Sequence, residues 1–301
     1  MSPTLPFKQA LIIANPVSGQ AKGERVGREI AGELAERGVA ARLHLTQYAG
    51  DAEATVGDLD PQTDLLVSVG GDGTLREILT GLRRRGPECK PLPIGLLPMG
   101  TGNALGKDFS LPRDAKGAVD VFLTGKTAEL DFADVNGELC FLAAGAGLDA
   151  HIVQHFHARR SGRSTTKWGY LPAGLRAFFG YQREPLTVEL DDQELPGRFS
   201  QILACNMIHY GGLVKLSPDR RLGDGLFEIF LFPDVGRLGL IFHGLRLATC
   251  LIPGGGIKMQ RARSIRITSA SPVPYHVDGD PMGSTPVTIE VTSSRFQLLV
   301  P

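Results

Sequence analysis

Nowhere in the 301 residues does an apolar run reach the length of about 18 that a membrane-crossing helix needs. Cysteine is scarce. Cys89, Cys140, Cys205 and Cys250 lie far apart, with no CxxC pair and no dense framework. That excludes a disulfide scaffold and fits a reducing, cytosolic setting. Excess charge of either sign is missing, with 32 basic residues against 32 acidic ones, so no global field draws the chain to nucleic acid. The opening residues MSPTLPFKQA lack the basic-then-apolar pattern of a secretory signal. Internal repeats, low-complexity segments and the Walker-type pattern GxxxxGK[ST] are absent too, and the last absence excludes a standard P-loop protein. What remains is 42% hydrophobic, enough to bury a substantial core in two domains of ordinary size.

The most informative stretch is LLVSVGGDGTLREILTG, residues 65–81. Five apolar or small residues from Leu65 to Val69 read as a short buried strand. Gly70-Gly71-Asp72-Gly73-Thr74 follows, and then Leu75, Ile78, Leu79 and Leu82 mark one face of a helix. Thr74 and Glu77 have the spacing of a capping box, which predicts a helix start at Thr74. A strand, a glycine turn and a helix N-terminus make an anion site, because backbone N–H groups can approach a phosphate there. The ordinary alternative is a tight turn. Asp72 is the odd residue, since a carboxylate beside phosphate is repulsive unless a cation lies between them or it takes a proton.

Around this stretch the chain alternates strands and helices. Strands are expected at residues 10–14, 42–45, 65–69 and 94–97, with helices through Val26, Ile30 and Leu34, through Val56 and Leu59, and over residues 115–123. This order predicts an open, mostly parallel sheet with helices on both faces. Ligands bind beyond the carboxyl ends of such strands. Three polar turns lie there: Asn15-Pro16-Val17-Ser18-Gly19, residues 70–74, and Gly100-Thr101-Gly102-Asn103. Near Thr127 the grammar changes to hairpins, beginning with Asn136-Gly137 between two strands. Further strands are expected at residues 186–190, 202–207, 226–232, 264–268 and 287–291, with helices at about 168–179 and 238–251. The fold class is therefore α/β plus β: an open parallel-sheet nucleotide domain over residues 1–126, and an antiparallel, sandwich-like β-rich domain over 127–301 whose last residues are free to pack back on the first domain.

Several signals carry two readings. Gly145-Ala146-Gly147-Leu148-Asp149-Ala150 matches a dinucleotide fingerprint but lacks the acid about 20 positions on, so it reads as a close-packing glycine turn. Arg159, Arg160, Arg163, Lys167, Arg176 and Arg183 occupy a stretch without Asp or Glu, interleaved with Trp168, Tyr170, Phe178, Phe179 and Tyr181. This is either a solvated basic loop or a segment drawn to an anionic membrane. His151, His155 and His157 read as exposed helix residues, since no carboxylate or Cys follows at ligand spacing. The run LGLIFHGL from Leu238 is either a lipid approach or a core helix. Magnesium on a triphosphate takes one or two carboxylates with waters and phosphates. The three turns offer Asp72 alone, so a further acid is expected from the second domain, at Asp219 to Gly225 or at His276-Val277-Asp278-Gly279-Asp280.

Asn15-Pro16-Val17-Ser18-Gly19, Gly70 to Thr74 with Glu77, Gly100 to Asn103, Asp224-Gly225 and Asp278-Gly279-Asp280 stand in the order found in the diacylglycerol kinase catalytic domain. Over nearly its whole length the chain resembles the bacterial soluble lipid kinases of that family, relatives of sphingosine and ceramide kinases and, more distantly, of NAD kinases. The resemblance implies ATP bound between an NAD kinase-like α/β domain and a β-rich domain, with magnesium. It implies nucleotide contacts from Asn15, Pro16, Val17, Ser18, Gly19, Thr46, Gly71, Asp72, Gly73, Thr74, Leu75, Arg76, Glu77 and Thr101. It implies a magnesium loop at Arg221, Asp224 and Leu226, with the buried Asp131 linked to the metal through water. The general base is implied at Asp280, Asp278 or Asp72. Two residues depart from the family: Arg76 replaces a usual Asn, and Asp280 a usual Glu. The expected activity is ATP-dependent phosphorylation of a hydroxyl on a neutral, diacylglycerol-like lipid, in a cytoplasmic protein that attaches peripherally to membranes. A homodimer is left open. The rival readings are an NAD kinase-like enzyme and an inactive nucleotide- or lipid-binding regulator.

Overall fold

The computed structural model describes residues 6–86, 91–159, 178, 180–210, 214–216 and 223–301. The chain divides into two compact units, Met1–Leu130 with Gly211–Leu213 and Ser294–Pro301, and Asp131–Tyr210 with Val214–Ser293.

The first unit is built on parallel strands in the order Ala40–Leu45, Gln9–Ala14, Leu65–Gly70 and Pro93–Pro98, with the end of Val287–Val300 added in parallel beside the last. All six residues of Leu65–Gly70 are buried, as the unbroken apolar run requires of a strand covered on both faces. Gly23–Glu36 and Ala115–Thr124 bring Ile30, Leu34, Val119 and Phe122 onto Ile12, Val67 and Leu97. A side chain at Gly95 would meet the ring of Phe122 at 2.6 Å, so the central glycine makes room for the largest buried ring of this layer. The paired strands end together: Ala14 lies opposite both Leu45 and Val69, and Val69 opposite Leu97. That register puts the three polar turns at one edge of the sheet.

One expectation about this unit is corrected. The helix after the central strand runs Asp72–Arg84, with Gly71 as its N-cap and no side-chain cap. Thr74 and Glu77 make no capping box. Glu77 Oε2 instead accepts from Ala52 N at 3.2 Å, at the start of the helix Asp51–Gly57. A partner 25 residues away has taken the carboxylate that a local rule assigns to the helix's own N-terminus.

The second unit is antiparallel, in the order Asp280–Ser284, Pro274–Val277, Ala143–Gly147, Phe199–Cys205, Leu186–Leu190, Ser264–Ser269 and the start of Val287–Val300. Phe199–Cys205 also pairs with Phe227–Pro233, and that strand with Lys258–Ala262. Inward residues of both branches, among them Ile202, Ala204, Ile229, Ile265 and Val277, form one core. The α/β-plus-β class is the one the sequence implies. The strands Lys258–Ala262, Pro274–Val277 and Asp280–Ser284 are additions to the expected set.

The helix Leu148–Arg159 follows Ala143–Gly147 directly, and Gly147 (φ 109°) makes the junction. His155 is exposed, and its Nδ1 lies 3.0 Å from the carbonyl of His151. No group of three or more His, Cys, Asp or Glu suited to a metal occurs among the described residues. Much of the basic aromatic stretch, including Arg160, Arg163, Lys167, Trp168, Tyr170, Arg176 and Phe179, lies outside the described residues, as does the helix expected near 168–179. Two of its aromatics pack on one cluster. Tyr181 is buried with Leu148 and Leu240, and Phe178 packs against that cluster. Burial beside Asp234 pushes the Tyr181 phenol up to about 12, burial being the larger cause. No helix among the described residues is long and apolar enough to cross a membrane.

Candidate active site

Backbone hydrogen bonds tie the three turns of the first unit together. Asn15 N donates to Val69 O at 3.0 Å, and Thr46 N to Ala14 O at 3.0 Å. Met99 N donates to Gly70 O at 2.8 Å. Asn15 Oδ1 accepts from Val17 N at 3.1 Å and closes its own turn, leaving the Val17 side chain 75% exposed. Residues 15–19, 46, 70–74 and 100–103 are thus assembled by the strands that carry them. The approach is close enough to need glycine. A side chain on Gly100 would lie 2.7 Å from the Cα of Gly71, backbone against backbone. Gly19 has φ 60°, a left-handed conformation that glycine adopts without strain.

Asp72 joins two of these turns. Its carboxylate accepts from the backbone N–H groups of Asn103 and Ala104. Burial raises its pKa above the ordinary carboxylate value, and those two N–H groups and Lys107 oppose the rise without cancelling it. Asn103 Nδ2 donates to Gly100 O at 2.6 Å and fixes the rest of the turn. Thr101 and Gly73 are exposed, Leu75 is fully buried, and Arg76 is partly buried on the helix. Of the expected nucleotide set, Leu75 points into the core, and Glu77 is partly buried with Oε2 on Ala52 N.

In the second unit, fully buried Asp131 accepts from Gly225 N at 3.1 Å. Asp224 Oδ1 accepts from Leu226 N at 3.1 Å, and its Oδ2 pairs with Arg261 Nη1 at 3.2 Å. Arg261 Nη2 pairs with the buried Glu228 at 2.8 Å. Arg221 lies outside the described residues. The Asp224 carboxylate is thus shared between the N–H group of Leu226 and the Arg261 guanidinium. A divalent ion held by Asp224 would share that carboxylate with Arg261. Arg261 and Glu228 escaped the sequence reading because their pairing joins adjacent strands at residues distant in the chain.

The two acids of the Asp-Gly-Asp turn differ in surroundings. Asp278, at φ 52°, accepts from Leu142 N at 2.8 Å, Ala143 N at 3.0 Å and Phe141 N at 3.3 Å. A carboxylate holding three backbone donors clamps its turn to residues 141–143. The Asp280 side chain is 46% exposed, with His157 Nδ1 3.8 Å from its Oδ1. Immediately before this turn lies a group the sequence did not reveal. His276 Nε2 is 2.7 Å from Asp149 Oδ2, and Tyr210 OH donates to the same oxygen. Burial alone would raise the Asp149 pKa, but the charge and hydrogen bond of His276 and the hydrogen bond of Tyr210 outweigh it and hold the group low. Gly145 is the visible trace of this group: a side chain there would lie 2.6 Å from His276 Nε2.

The pattern of the diacylglycerol kinase catalytic domain matches residues 9–135. That of the YegS C-terminal NAD kinase beta sandwich-like domain matches residues 143–300. The chain belongs to the diacylglycerol kinase family. It is accordingly an ATP-dependent lipid kinase. It is 28% identical over 300 residues to a diacylglycerol kinase of Staphylococcus carnosus, covering 98% of this chain and 95% of that one. It is 25% identical over 287 residues to a diacylglycerol kinase of Bacillus subtilis, covering 93% and 92%. The crystal structure of a diacylglycerol kinase from Bacillus anthracis has the same fold, with a TM-score of 0.75 at 20% identity over 99% of this chain and 98% of that one.

Proposed function

We propose that this kinase transfers the γ-phosphoryl group of ATP to a hydroxyl of a neutral, diacylglycerol-like lipid. The observation that carries the reading is the meeting of the three glycine turns at the ends of parallel strands, with Asp72 hydrogen-bonded between two of them. Phosphoryl transfer asks mainly for positioning and charge neutralisation, and exposed turn N–H groups beside a helix N-terminus supply both. Residues 15–19, Thr46, 71–74 and Thr101 hold the nucleotide in this reading, and Arg76 places a cation on the helix that begins there. Magnesium brought in with ATP would neutralise phosphate charge, and Asp72 is the only carboxylate in the three turns to meet it. Asp280 takes the proton of the attacking hydroxyl, as the more accessible acid of its turn. Asp278 fixes that turn. The relatives named diacylglycerol kinase support the acceptor class. An acceptor of this kind resides in a bilayer, so the enzyme meets it as a peripheral membrane protein.

The deciding experiment offers purified protein ATP with diacylglycerol, monoacylglycerol, ceramide, a sphingoid base or NAD. Phosphatidic acid formed from diacylglycerol is the expected product. Phosphorylation of NAD alone would end the lipid reading in favour of the NAD kinase-like one.

A further inference from the structure

The helix Arg237–Ala248 has two apolar faces, and among the described residues only one of them is covered. Leu240 and His243 are buried, Leu240 against Leu148 and Tyr181, and His243 edge-on to Phe232. On the other side Leu238, Ile241, Phe242 and Leu245, spaced as i, i+3, i+4 and i+7, are 84%, 43%, 49% and 60% exposed. Leu251, just beyond the helix, is 56% exposed. This row is held in place. Arg246 stacks over Phe242 at 5.6 Å and donates to Leu251 O, so helix and following turn form one ridge. The glycine turn packs on the same arginine, since a side chain at Gly255 would meet Arg246 Cδ at 2.6 Å and Phe242 at 3.0 Å.

Charge selects the occupant. Between Asp234 and Asp278 there is no Asp or Glu, while Arg237, Arg246, Lys258, Arg261, Arg263 and Arg266 all fall in that interval. Arg261 is neutralised by Asp224 and Glu228, whereas Arg237, the first residue of the helix, and Lys258, on the strand that follows the glycine turn, are exposed. The helix begins at Gly236 with no side-chain cap and no acid in its first turn, so its N-terminal amides add a positive end beside Arg237. A fixed apolar ridge with exposed cations close by in the chain matches an anionic bilayer surface, where leucines enter the acyl boundary and cations meet phosphate headgroups.

We propose that this ridge docks the kinase onto anionic membrane. The inference deepens the lipid-acceptor reading and rests on it for its purpose, and the test keeps the two apart. Sedimentation with phosphatidylglycerol-containing vesicles is compared with sedimentation with pure phosphatidylcholine vesicles. The comparison uses wild type and the variant Leu238→Ser/Ile241→Ser/Leu245→Ser, which spares the Phe242–Arg246 stack. Wild type should bind the anionic vesicles, more weakly at high salt, and the variant should lose at least about tenfold in affinity, a modest share of the transfer energy of three apolar side chains. Its melting temperature should not change, because the replaced side chains face solvent. Vesicle binding by the variant equal to wild type, or no binding by wild type, overturns the proposal. So does a dimer in wild type that becomes a monomer in the variant with vesicle binding intact, which would assign the ridge to a second copy of the chain. Turnover of a water-dispersed short-chain diacylglycerol by wild type tests the acceptor separately: failure there with ridge-dependent vesicle binding refutes the acceptor and leaves the docking surface standing.

Discussion

Replacing Asp72 by Asn and by Ala separates the work of its charge from the work of its shape. The carboxylate accepts from Asn103 N and Ala104 N and so ties the third turn to the helix that starts at residue 72. Asp72→Ala removes both acceptors. Hydrogen bonds to charged groups contribute about 1.5–3 kcal/mol each when well shielded, and partial exposure lowers the pair to about 2–3 kcal/mol in total. That is roughly a 5–10 °C fall in melting temperature for a unit of this size. Asp72→Asn keeps one acceptor oxygen and removes the charge. Burial raises the Asp72 pKa above 3.8, so ionisation is penalised in the folded state. Folding stability from this group is therefore highest below the unfolded value and falls as pH rises through the raised folded pKa. The Asn variant lacks that fall, and near neutral pH it should stay within about 1 kcal/mol of wild type. Activity should move differently. If the charge is kept beside phosphates for the cation they carry, kcat in the Asn variant drops at least about a hundredfold, or about 2.7 kcal/mol of barrier. The measurements are urea melts at several pH values and steady-state turnover with ATP and diacylglycerol. A folded Asn variant with wild-type kcat would show that Asp72 is an anchor for the turn and nothing more.

Two further predictions concern the second unit. His276→Ala leaves the Asp149 carboxylate buried with Tyr210 alone, which costs about 3–5 kcal/mol, while the double variant with Asp149→Ala should cost clearly less than the sum of the two singles. Additivity within about 0.5 kcal/mol in urea melts would refute the pairing. Because the Asp149 pKa is held low, its stabilisation is present above 3.8 and is lost as pH falls through the folded pKa, so the double variant should show a flatter acid limb. Asp278→Ala should lower stability by about 2–4 kcal/mol through three orphaned backbone donors, whereas Asp280→Asn should melt like wild type and lose about 10²–10⁴ in kcat. The reverse pattern would exchange the two roles.

The parallel half of the fold was legible because unbroken apolar runs such as 65–69 and the turns after them are local signals. The helix start was misread for the opposite reason. Thr74 and Glu77 form a local pattern, but Glu77 is held by Ala52, and a long-range partner leaves no mark in a short window. The strand Lys258–Ala262 was missed because three of its five side chains face solvent, so it lacks an apolar alternation. Asp149, His276 and Tyr210 were invisible as a group because they lie more than sixty residues apart in the chain. Among the residues proposed for the nucleotide, the turns themselves were readable, since three glycine and small-polar stretches each follow a predicted strand of one parallel sheet. Which side chains within them pack and which face outward was not.

Three aspartates equivalent in the sequence have different surroundings in the structure. Asp72 spends its carboxylate on two backbone donors and Asp278 on three, while the Asp280 side chain remains half-exposed. This ordering also gives the replacement of the family's usual Glu a physical setting. A side chain shorter by one methylene has its reach set by the backbone beneath it. That backbone is fixed on both sides: Val277 pairs with Asp280 across the turn, and the Asp278 carboxylate locks the turn to the N–H groups of residues 141–143. In the proposed mechanism Asp278 therefore sets where the shorter Asp280 side chain starts, so Asp278→Ala should lower kcat as well as stability, and wild-type kcat in a folded Asp278→Ala variant would separate the two acids.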